Sequence, residues 1–296
     1  MVRIKSREDI IFDIFNTILM LILIFLTLYP VWFCIVGSFN EGLDYMRGGV
    51  NFWPRKFTLS NYRVVLMEPR IKDAYKITIL RTIIGVITHV LFTSLFAYGF
   101  SRRNLIGKKI YGTMGIITMF FSGGLIPSYL LYKWLRLLNS FWVYIIPALF
   151  NFWNVIIFQS FFREIPESIN ESARIDGANE YQIYFYLILP LSKPVLAALA
   201  LFTGVWHWNS YFDSMVFTTS QELSTIQLLL MKIIRSTEGA ANVASRAGEM
   251  LERQRDISST TVQMATMVIT SAPIMMLYPF LQKYFVKGVM IGSIKG

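Results

Sequence analysis

The chain contains six long stretches in which no Lys, Arg, Asp or Glu interrupts the apolar side chains. A helix that crosses the bilayer core needs roughly 20 such residues. Within lipid every backbone polar group must be satisfied internally, so only helices fit stretches of this length. The sequence therefore predicts an all-α integral membrane protein, with one transmembrane domain over residues 1–296. The predicted spans cover about residues 14–36, 82–101, 110–132, 141–162, 194–217 and 258–282.

Composition agrees with this class, because 54% of the residues are hydrophobic and only 16% are charged. Soluble domains carry about 25% charged residues. The net charge of +10 is typical of cytoplasmic loops that contact anionic lipid, and we expect no nucleic-acid partner. Cys34 is the single cysteine, which excludes a disulfide framework. His89 and His207 lie far apart in apolar stretches, where packing inside the bundle is favoured over metal ligation.

Six spans place both termini on the same side of the membrane. The short loop SRRNLIGKK, Ser101–Lys109, is the densest basic cluster, and short basic loops mark the cytoplasmic side. We therefore expect cytoplasmic termini, a cytoplasmic loop at 163–193, and extracytoplasmic loops at 37–81 and 218–256. In the first outer loop, Leu59-Ser60-Asn61-Tyr62 indicates the start of a helix. Each outer loop is either a flexible spacer or a surface for an external partner.

A polar island, ESARIDGANE, lies within the loop at 163–193. Pro166 suits the first turn of a short helix, and Asp176-Gly177 predicts its end, because glycine readily adopts the left-handed cap conformation. A second helix is expected from about Ala178. Small residues at the turn allow another backbone to approach closely, with charges around them. The island is either a solvated linker or a docking knob for a cytoplasmic protein.

The island resembles the EAA motif of permease subunits in ATP-binding-cassette (ABC) importers. The motif is Glu-Ala-Ala, three residues, Gly, and then Ile-x-Leu-Pro. The matching positions are Glu171, Ser172, Ala173, Gly177 and Pro190, with Leu189 directly before the proline and Ser172 in place of the first alanine; Ile188 lies one position after the motif's isoleucine. Four further stretches, FTLSNY, WHWNSYFDSMVF, TIQLLL and QKYFVKGVMIGSIKG, are similar to the carbohydrate-uptake branch in the same order. The opening of the first outer loop is similar to oligosaccharide permeases of the LplC/YtcP type.

The resemblance implies a type I ABC importer permease fold in a bacterial cytoplasmic membrane. It also implies four kinds of partner: a second homologous permease, two ATPase subunits, an extracytoplasmic solute-binding protein and the oligosaccharide. The loop would be the coupling helix that seats in an ATPase cleft, with Glu171 facing a basic group there. The residues assigned to ATPase coupling are Glu171, Ser172, Ala173, Arg174, Asp176, Gly177 and Ala178.

The chain offers no nucleotide site of its own. Gly107-Lys108 is similar to the end of a phosphate-binding loop, but Arg102 stands where that loop needs a glycine. We therefore expect a non-catalytic subunit that binds no cofactor, with ATP and Mg²⁺ on the partner ATPases. The basic C-terminal tail is either a lipid-facing end or, by the resemblance, a segment that reaches between the ATPases.

Polar and aromatic residues inside spans are candidates for a substrate path, since each needs a partner or a cavity. Aromatic faces with amides suit sugar rings and hydroxyls, although Trp and Tyr also favour membrane interfaces and Asn can bond between helices. In the maltose importers the sugar is held mainly by the other permease. The candidates are Asn151, Trp153, Asn154, Trp206, Trp208, Asn209 and Tyr211.

Three alternatives remain at this point. An ABC permease for another small organic solute fits the same motifs. An ATP-independent secondary transporter predicts acidic residues within the spans, and the sequence places none there. A membrane-embedded enzyme predicts a metal or nucleophile constellation, which is not evident.

The basic outer loops would suit acidic oligosaccharides such as uronates.

Overall fold

The computed structural model describes residues 7–102, 104–244 and 258–293, with side chains for 7–102, 104–235 and 258–276. These ranges contain fourteen α-helices and no β-strand; Asn40 and Phe57 form one isolated bridge. The helices are α1 (Arg7–Ser38), α2 (Gly42–Met46), α3 (Ser60–Met67), α4 (Arg70–Ser101), α5 (Lys108–Phe120), α6 (Leu125–Trp134), α7 (Phe152–Glu164), α8 (Glu167–Ile175), α9 (Glu180–Ile183), α10 (Leu189–Leu191), α11 (Lys193–Asn209), α12 (Phe212–Phe217), α13 (Ile226–Ala244) and α14 (Ser259–Ser293).

Among the described residues, α1 and α4 are each long and apolar enough to cross a membrane. Three further pairs of helical segments pass the same test together but are bent between their halves. The bends measure 116° between α5 and α6, 50° between Phe141–Ala148 and α7, and 82° between Glu180–Leu191 and α11. The described helices therefore provide two straight spans, or five if each bent pair is one span.

Three of the predicted spans, 110–132, 141–162 and 194–217, contain helix breaks in the structure. In the first, Gly124 has φ +84°, a conformation that favours glycine, and Pro127 follows in the first turn of α6. In the second, the backbone leaves the helix before Asn151, whose side chain caps α7. In the third, α11 ends at Asn209 and α12 begins at Phe212.

The chain divides into two compact units, and the first comprises Met1–Glu68 and Lys232–Ser271. Its segment after α1 is held by buried amides. The Asn61 side chain donates to the carbonyls of Ser38 and Asn40, at 2.9 Å each, and accepts from Thr261 Oγ1 at 2.9 Å. Asn40 donates to Asp44 at 3.0 Å, and this hydrogen bond, with that of Arg55, lowers the pKa of Asp44. This part of the outer loop is a folded surface, and α3 begins at Ser60 as the sequence indicates.

The second unit comprises Pro69–Met231 and Ala272–Gly296. Its helix α4 packs against α7 and α11. The core between them is apolar and closed, with side chains that are at most 2% exposed: Ala97, Val155, Phe158, Ile183, Tyr184, Ile188 and Leu199. The residues assigned to a single domain by sequence thus fall into two units, and the single-domain organisation stays a prediction.

One face of α4 is buried and polar along its length. Its members recur at helical spacing, and four of the six bind backbone groups at the ends of neighbouring helical segments. Thr78 Oγ1 accepts from the Ile226 amide at 2.9 Å, and Thr93 Oγ1 donates to the Leu149 carbonyl at 3.2 Å. Irregular backbone at membrane depth is tolerated only where such partners satisfy it. This polar face of α4 comprises Thr78, Arg81, His89, Thr93, Ser94 and Tyr98.

Arg81 and Asp213 form a buried ion pair within the second unit. The Arg81 side chain is fully buried and bonds both Asp213 oxygens, at 3.2 and 2.5 Å. Its guanidinium lies 4.5 Å above the Tyr144 ring and also donates to the Ser210 carbonyl at 3.3 Å. An acidic residue therefore lies inside the segment 194–217, which corrects the expectation that the spans hold none. Because a cation neutralises it at contact distance, it is a structural pair and not a free carboxylate.

We expect Gly115→Ala to destabilise the second unit. A Cβ at Gly115 would lie 2.2 Å from the Phe152 ring, and that ring is buried, so the core must shift. Overpacking of this kind costs about 1–3 kcal/mol. The apparent melting temperature in detergent measures the effect.

Gly99→Ala is the matched control, because this helical glycine has no atom within 4 Å of the added Cβ. It should leave the melting temperature unchanged or raise it, since alanine is the better helix former by up to about 1 kcal/mol. Equal melting temperatures for the two variants would contradict the close packing of α5 on Phe152.

Candidate functional site

The loop at 163–193 folds as two short helices around a closed turn. α8 ends at Ile175, and Gly177 follows with φ +83°. The Ala178 amide donates to the Ala173 carbonyl at 2.9 Å, and the Gly177 amide donates to the Arg174 carbonyl at 3.0 Å. These two bonds form a Schellman motif, which satisfies the last carbonyls of a helix and favours glycine at this position.

The second helix is held by a capping box. The Asn179 side chain accepts from the Gln182 amide at 2.9 Å, and the Gln182 side chain accepts from the Asn179 amide at 2.8 Å. The helix therefore begins at Glu180, two residues later than the expected start at Ala178. The sequence pattern Asn-x-x-Gln, which is typical of a capping box, marks this helix start. With both helix ends satisfied, the turn at 176–179 is a rigid element.

The residues assigned to ATPase coupling lie on different sides of this hairpin. Ala173, Asp176, Gly177 and Ala178 line one groove of about 380 Å³, which Gln182, Ile183, Tyr186 and Leu187 complete. Glu171 and Arg174 line a second groove of about 770 Å³ with Glu167, Glu180, Tyr181 and the end of α4. Ser172 is exposed and lines neither groove.

An exposed apolar side chain at the tip was missed by sequence reasoning. Ile175 is 87% exposed at the end of α8, and Tyr181 and Tyr186 nearby are 68% and 76% exposed. No sequence pattern identified Ile175 as a candidate functional residue. Large exposed apolar groups beside small and charged residues are typical of a protein contact surface.

Arg174 is engaged within the loop. Its guanidinium bonds the Glu180 carboxylate at 2.9 and 3.0 Å and lies 3.8 Å from Glu167. The hydrogen bond to Glu180 raises the pKa of Arg174. The geometry therefore gives Arg174 a role in holding the hairpin together, where the sequence assigned it only to a partner.

Glu180 joins the hairpin to α4. The buried Tyr98 hydroxyl donates to Glu180 at 2.6 Å, and the Arg102 guanidinium lies 4.1 Å above the Tyr98 ring. Arg102 also approaches Glu167 at 3.5 Å and Glu180 at 3.9 Å. We call Tyr98, Arg102, Arg174 and Glu180 the Glu180 clamp.

Partial burial alone would raise the pKa of Glu180. The hydrogen bonds from Tyr98 and Arg174 and the charges of Arg102 and Arg174 outweigh it, so the pKa lies below the usual value of 4.5. A lowered carboxyl pKa stabilises the folded state above the unfolded pKa, and this contribution is lost as pH falls through the folded pKa. Glu180 therefore carries its negative charge at neutral pH.

Three of the seven substrate-path candidates lie around one cavity in the second unit. Asn151, Asn154 and Trp206 line a space of about 310 Å³. The sequence did not assign the other lining residues, which are His89, Pro147, Ala148, Phe150, Phe202, Thr203 and His207. His89 and His207 were predicted as packed or hydrogen-bonded residues, and the fold brings both to this cavity.

The other four candidates lie elsewhere. Trp153 is 59% exposed and is not part of the cavity lining. Trp208 is buried near the Tyr75 ring, and Asn209 accepts from Gln227 at 3.3 Å. Tyr211 precedes α12 and accepts the Met215 amide through its carbonyl. None of the four lines the cavity.

We expect Glu180→Gln to loosen the hairpin from α4. The amide keeps an acceptor for Tyr98 but removes the charge that faces Arg102 and Arg174, as protonation would. Because Glu180 is half exposed, the effect is modest, on the order of 0.2–1 kcal/mol. Amide hydrogen exchange of residues 167–183 should accelerate about two- to fivefold at neutral pH.

Glu164→Gln is the control, since it removes a carboxylate from the same loop outside the clamp. Amide hydrogen exchange of residues 167–183 in this variant should match that of the wild type. Unchanged exchange in the Glu180 variant would show that the clamp does not hold the hairpin.

Comparison with known proteins agrees with this architecture. Residues 3–291 match the family model described as binding-protein-dependent transport system inner membrane component. The chain is 38% identical over 243 residues to the polygalacturonan/rhamnogalacturonan transport system permease protein YtcP of Bacillus subtilis (strain 168), which covers 82% of this chain and 84% of YtcP. Protein LplC of the same organism is 33% identical over 292 residues, covering 99% of this chain and 97% of LplC.

A solved structure is also similar. The crystal structure of a bacterial ABC transporter involved in the import of the acidic polysaccharide alginate contains a chain with 32% identity and a TM-score of 0.86. The match covers 96% of this chain and 100% of that one. This neighbour and the family model give the type I ABC permease fold. The chain belongs to the family of binding-protein-dependent transport system inner membrane components.

Proposed function

We propose that this chain is a permease subunit of an ATP-driven ABC importer for acidic oligosaccharides. The observation that carries the proposal is the joint similarity to YtcP, named for polygalacturonan and rhamnogalacturonan, and to the alginate importer. Both names denote polymers that contain uronic acids. The relatives are transport system permeases, so the chain acts as a non-catalytic subunit and the ATPase is a separate polypeptide.

Charge supports the acidic substrate class. The outer segment at 37–81 carries exposed Arg47, Arg63, Lys72 and Lys76. Such cations raise the local concentration of an anionic substrate and favour its encounter with the transporter. Charge alone does not select one sugar. The relatives also include a permease named for arabinooligosaccharides, AraQ of Halalkalibacterium halodurans, at 27% identity.

The proposed topology has six membrane passes with both termini in the cytoplasm. The straight helices α1 and α4, the bent pairs α5–α6 and Phe141–Ala148 with α7, and α11 provide five passes. The sixth is α14, which contains the apolar stretch 258–282. The basic loop 101–109 and the loop 163–193 then lie on the cytoplasmic side of the bacterial membrane, as the positive-inside rule favours.

The hairpin at 163–193 is proposed as the coupling helix of the EAA motif. Its exposed Ile175, its rigid turn and its two grooves suit a cleft on an ATPase subunit. ATP and Mg²⁺ would bind there, and closure of two ATPases would move two permeases as rigid bodies. The Glu180 clamp supports this proposal, because it passes a displacement of the hairpin directly to α4.

The remaining partners follow from the family. A second permease would complete the translocation path, and the outer loops at 37–81 and 218–256 would meet the solute-binding protein. The folded segment around Asn61 favours a docking surface over a spacer. Residues 245–257 and the side chains of the C-terminal tail lie outside the described residues.

Gly177→Asp is expected to uncouple transport from ATP hydrolysis while the protein still inserts. The added side chain projects from a position that has no atom within 4 Å, so it would obstruct a partner and not the chain itself. In proteoliposomes with the whole transporter, stimulation of ATPase by substrate and binding protein should fall at least about tenfold, equivalent to 1.4 kcal/mol. Glu171→Lys should act in the same direction.

Gly48→Asp is the matched control for Gly177→Asp. Gly48 has φ +76° and no atom within 4 Å, so the same substitution carries the same backbone strain at a different place. Retention of the ATPase subunits on the purified permease should fall for Gly177→Asp alone. Normal retention and normal stimulated hydrolysis in Gly177→Asp would overturn the coupling assignment.

The substrate class is tested on the cognate solute-binding protein. We expect oligogalacturonides to bind at least about tenfold more tightly than neutral galacto- or arabino-oligosaccharides of the same length. Calorimetric titration with a matched set of trisaccharides measures this ratio. A preference for the neutral sugars would reject the acidic substrate and leave the permease assignment intact.

A further inference from the structure

The cavity of about 310 Å³ in the second unit has the composition of a sugar site. Its volume lies at the low end of small-molecule pockets, which range over about 300–1,000 Å³. It therefore has room for one ring-sized group. Aromatic faces and neutral hydrogen-bonding groups line it together, and its lining contains no charged side chain.

His89 fixes the orientation of Asn154 in the cavity wall. Its Nδ1 lies 2.6 Å from the Ala148 carbonyl, which can only accept, so Nδ1 carries the proton. In the neutral ring Nε2 is then an acceptor, and Asn154 Nδ2 donates to it at 2.8 Å. Among the described residues nothing donates to Asn154 Oδ1. That oxygen is left as an oriented acceptor for a hydroxyl group.

His207 is a buried polar group without a hydrogen bond. It is fully buried and lines the same cavity, and neither ring nitrogen has a hydrogen-bond partner among the described residues. The ring lies against Gly85, where an added Cβ would be 2.4 Å from Nε2. Both ring nitrogens lie beneath the cavity surface, so His207 forms part of the wall by packing against α4 and presents no hydrogen-bonding atom to the cavity.

Trp206 supplies an aromatic face at the same place. Its ring centroid lies 4.9 Å from that of His207, and 54% of the side chain is exposed. An indole in this position is free to stack on the apolar face of a pyranose ring. Phe150 and Phe202 add apolar surface around it.

We propose that this cavity binds one pyranose ring of the oligosaccharide during translocation. Trp206 stacks on the ring, and Asn154 Oδ1 accepts from one hydroxyl. Because no cation lines the cavity, the site recognises ring faces and hydroxyls and not carboxylates. The inference rests on the proposed saccharide substrate, and it makes this subunit a direct contributor to the substrate path.

The test compares three variants in proteoliposomes with the complete transporter, at saturating binding protein and trigalacturonate. Trp206→Leu should reduce the rate of uptake at least about tenfold. Trp206→Phe keeps an aromatic face and should restore most of that rate. Trp153→Leu, which changes an exposed tryptophan outside the cavity, should transport as the wild type does.

Assembly of the transporter and its basal ATPase activity are measured in parallel, because a purely structural packing role of Trp206 would make its variants lower both. Equal uptake by the leucine and phenylalanine variants of Trp206, or a matching loss in Trp153→Leu, would overturn the proposal. If the wild type imports a neutral trisaccharide in place of trigalacturonate, the acidic-substrate proposal fails and the same comparison is made with that sugar. Import of no saccharide would overturn both.

Discussion

Hydrogen bonding where water is absent is the constraint on which the second unit depends. Its chain leaves helical geometry at 149–151, 210–211, 218–220 and 224–225, and unpaired backbone groups at such breaks need partners. The polar face of α4 supplies them. Thr78, His89 and Thr93 bind backbone groups, and Arg81 holds Asp213 and the Ser210 carbonyl. The breaks in the apolar segments and the polar residues of α4 therefore require each other.

The same helix ends at the Glu180 clamp, so one rigid element contacts both the cavity and the hairpin at 163–193. Ser94 bonds the Tyr184 hydroxyl at 2.7 Å, one turn before Tyr98 reaches Glu180. A displacement of the hairpin would thus be applied to α4 at its C-terminal end. His89 lies two to three turns away along the helix, where it orients Asn154. A two-state movement of α4 would couple the two sites without any contact between them.

Much of this was predictable from sequence, and what was missed has a common cause. Local signals located the hairpin, the glycine at its turn, the start of α3 and three cavity residues. The missed features depend on residues distant in sequence: Tyr98 with Glu180, Arg81 with Asp213, and His89 with Ala148. Charges at the ends of apolar stretches were used as boundaries, and Arg81 and Asp213 show how two such charges instead neutralise each other inside the fold. The capping box at Asn179 is a local sequence pattern that predicts a helix start at Glu180, two residues after the expected start at Ala178.

A cavity without charge has a consequence for the passage of an acidic sugar. A cation in the path would attract a uronate but would also retain it, since a desolvated ion pair is costly to separate. Neutral groups that bind hydroxyls hold the ring weakly and allow it to leave, which transport requires. Under the proposed function, selection by charge would belong to the binding protein and the cationic outer segment, where water screens the interaction. Selectivity and release are thereby assigned to different places along the path.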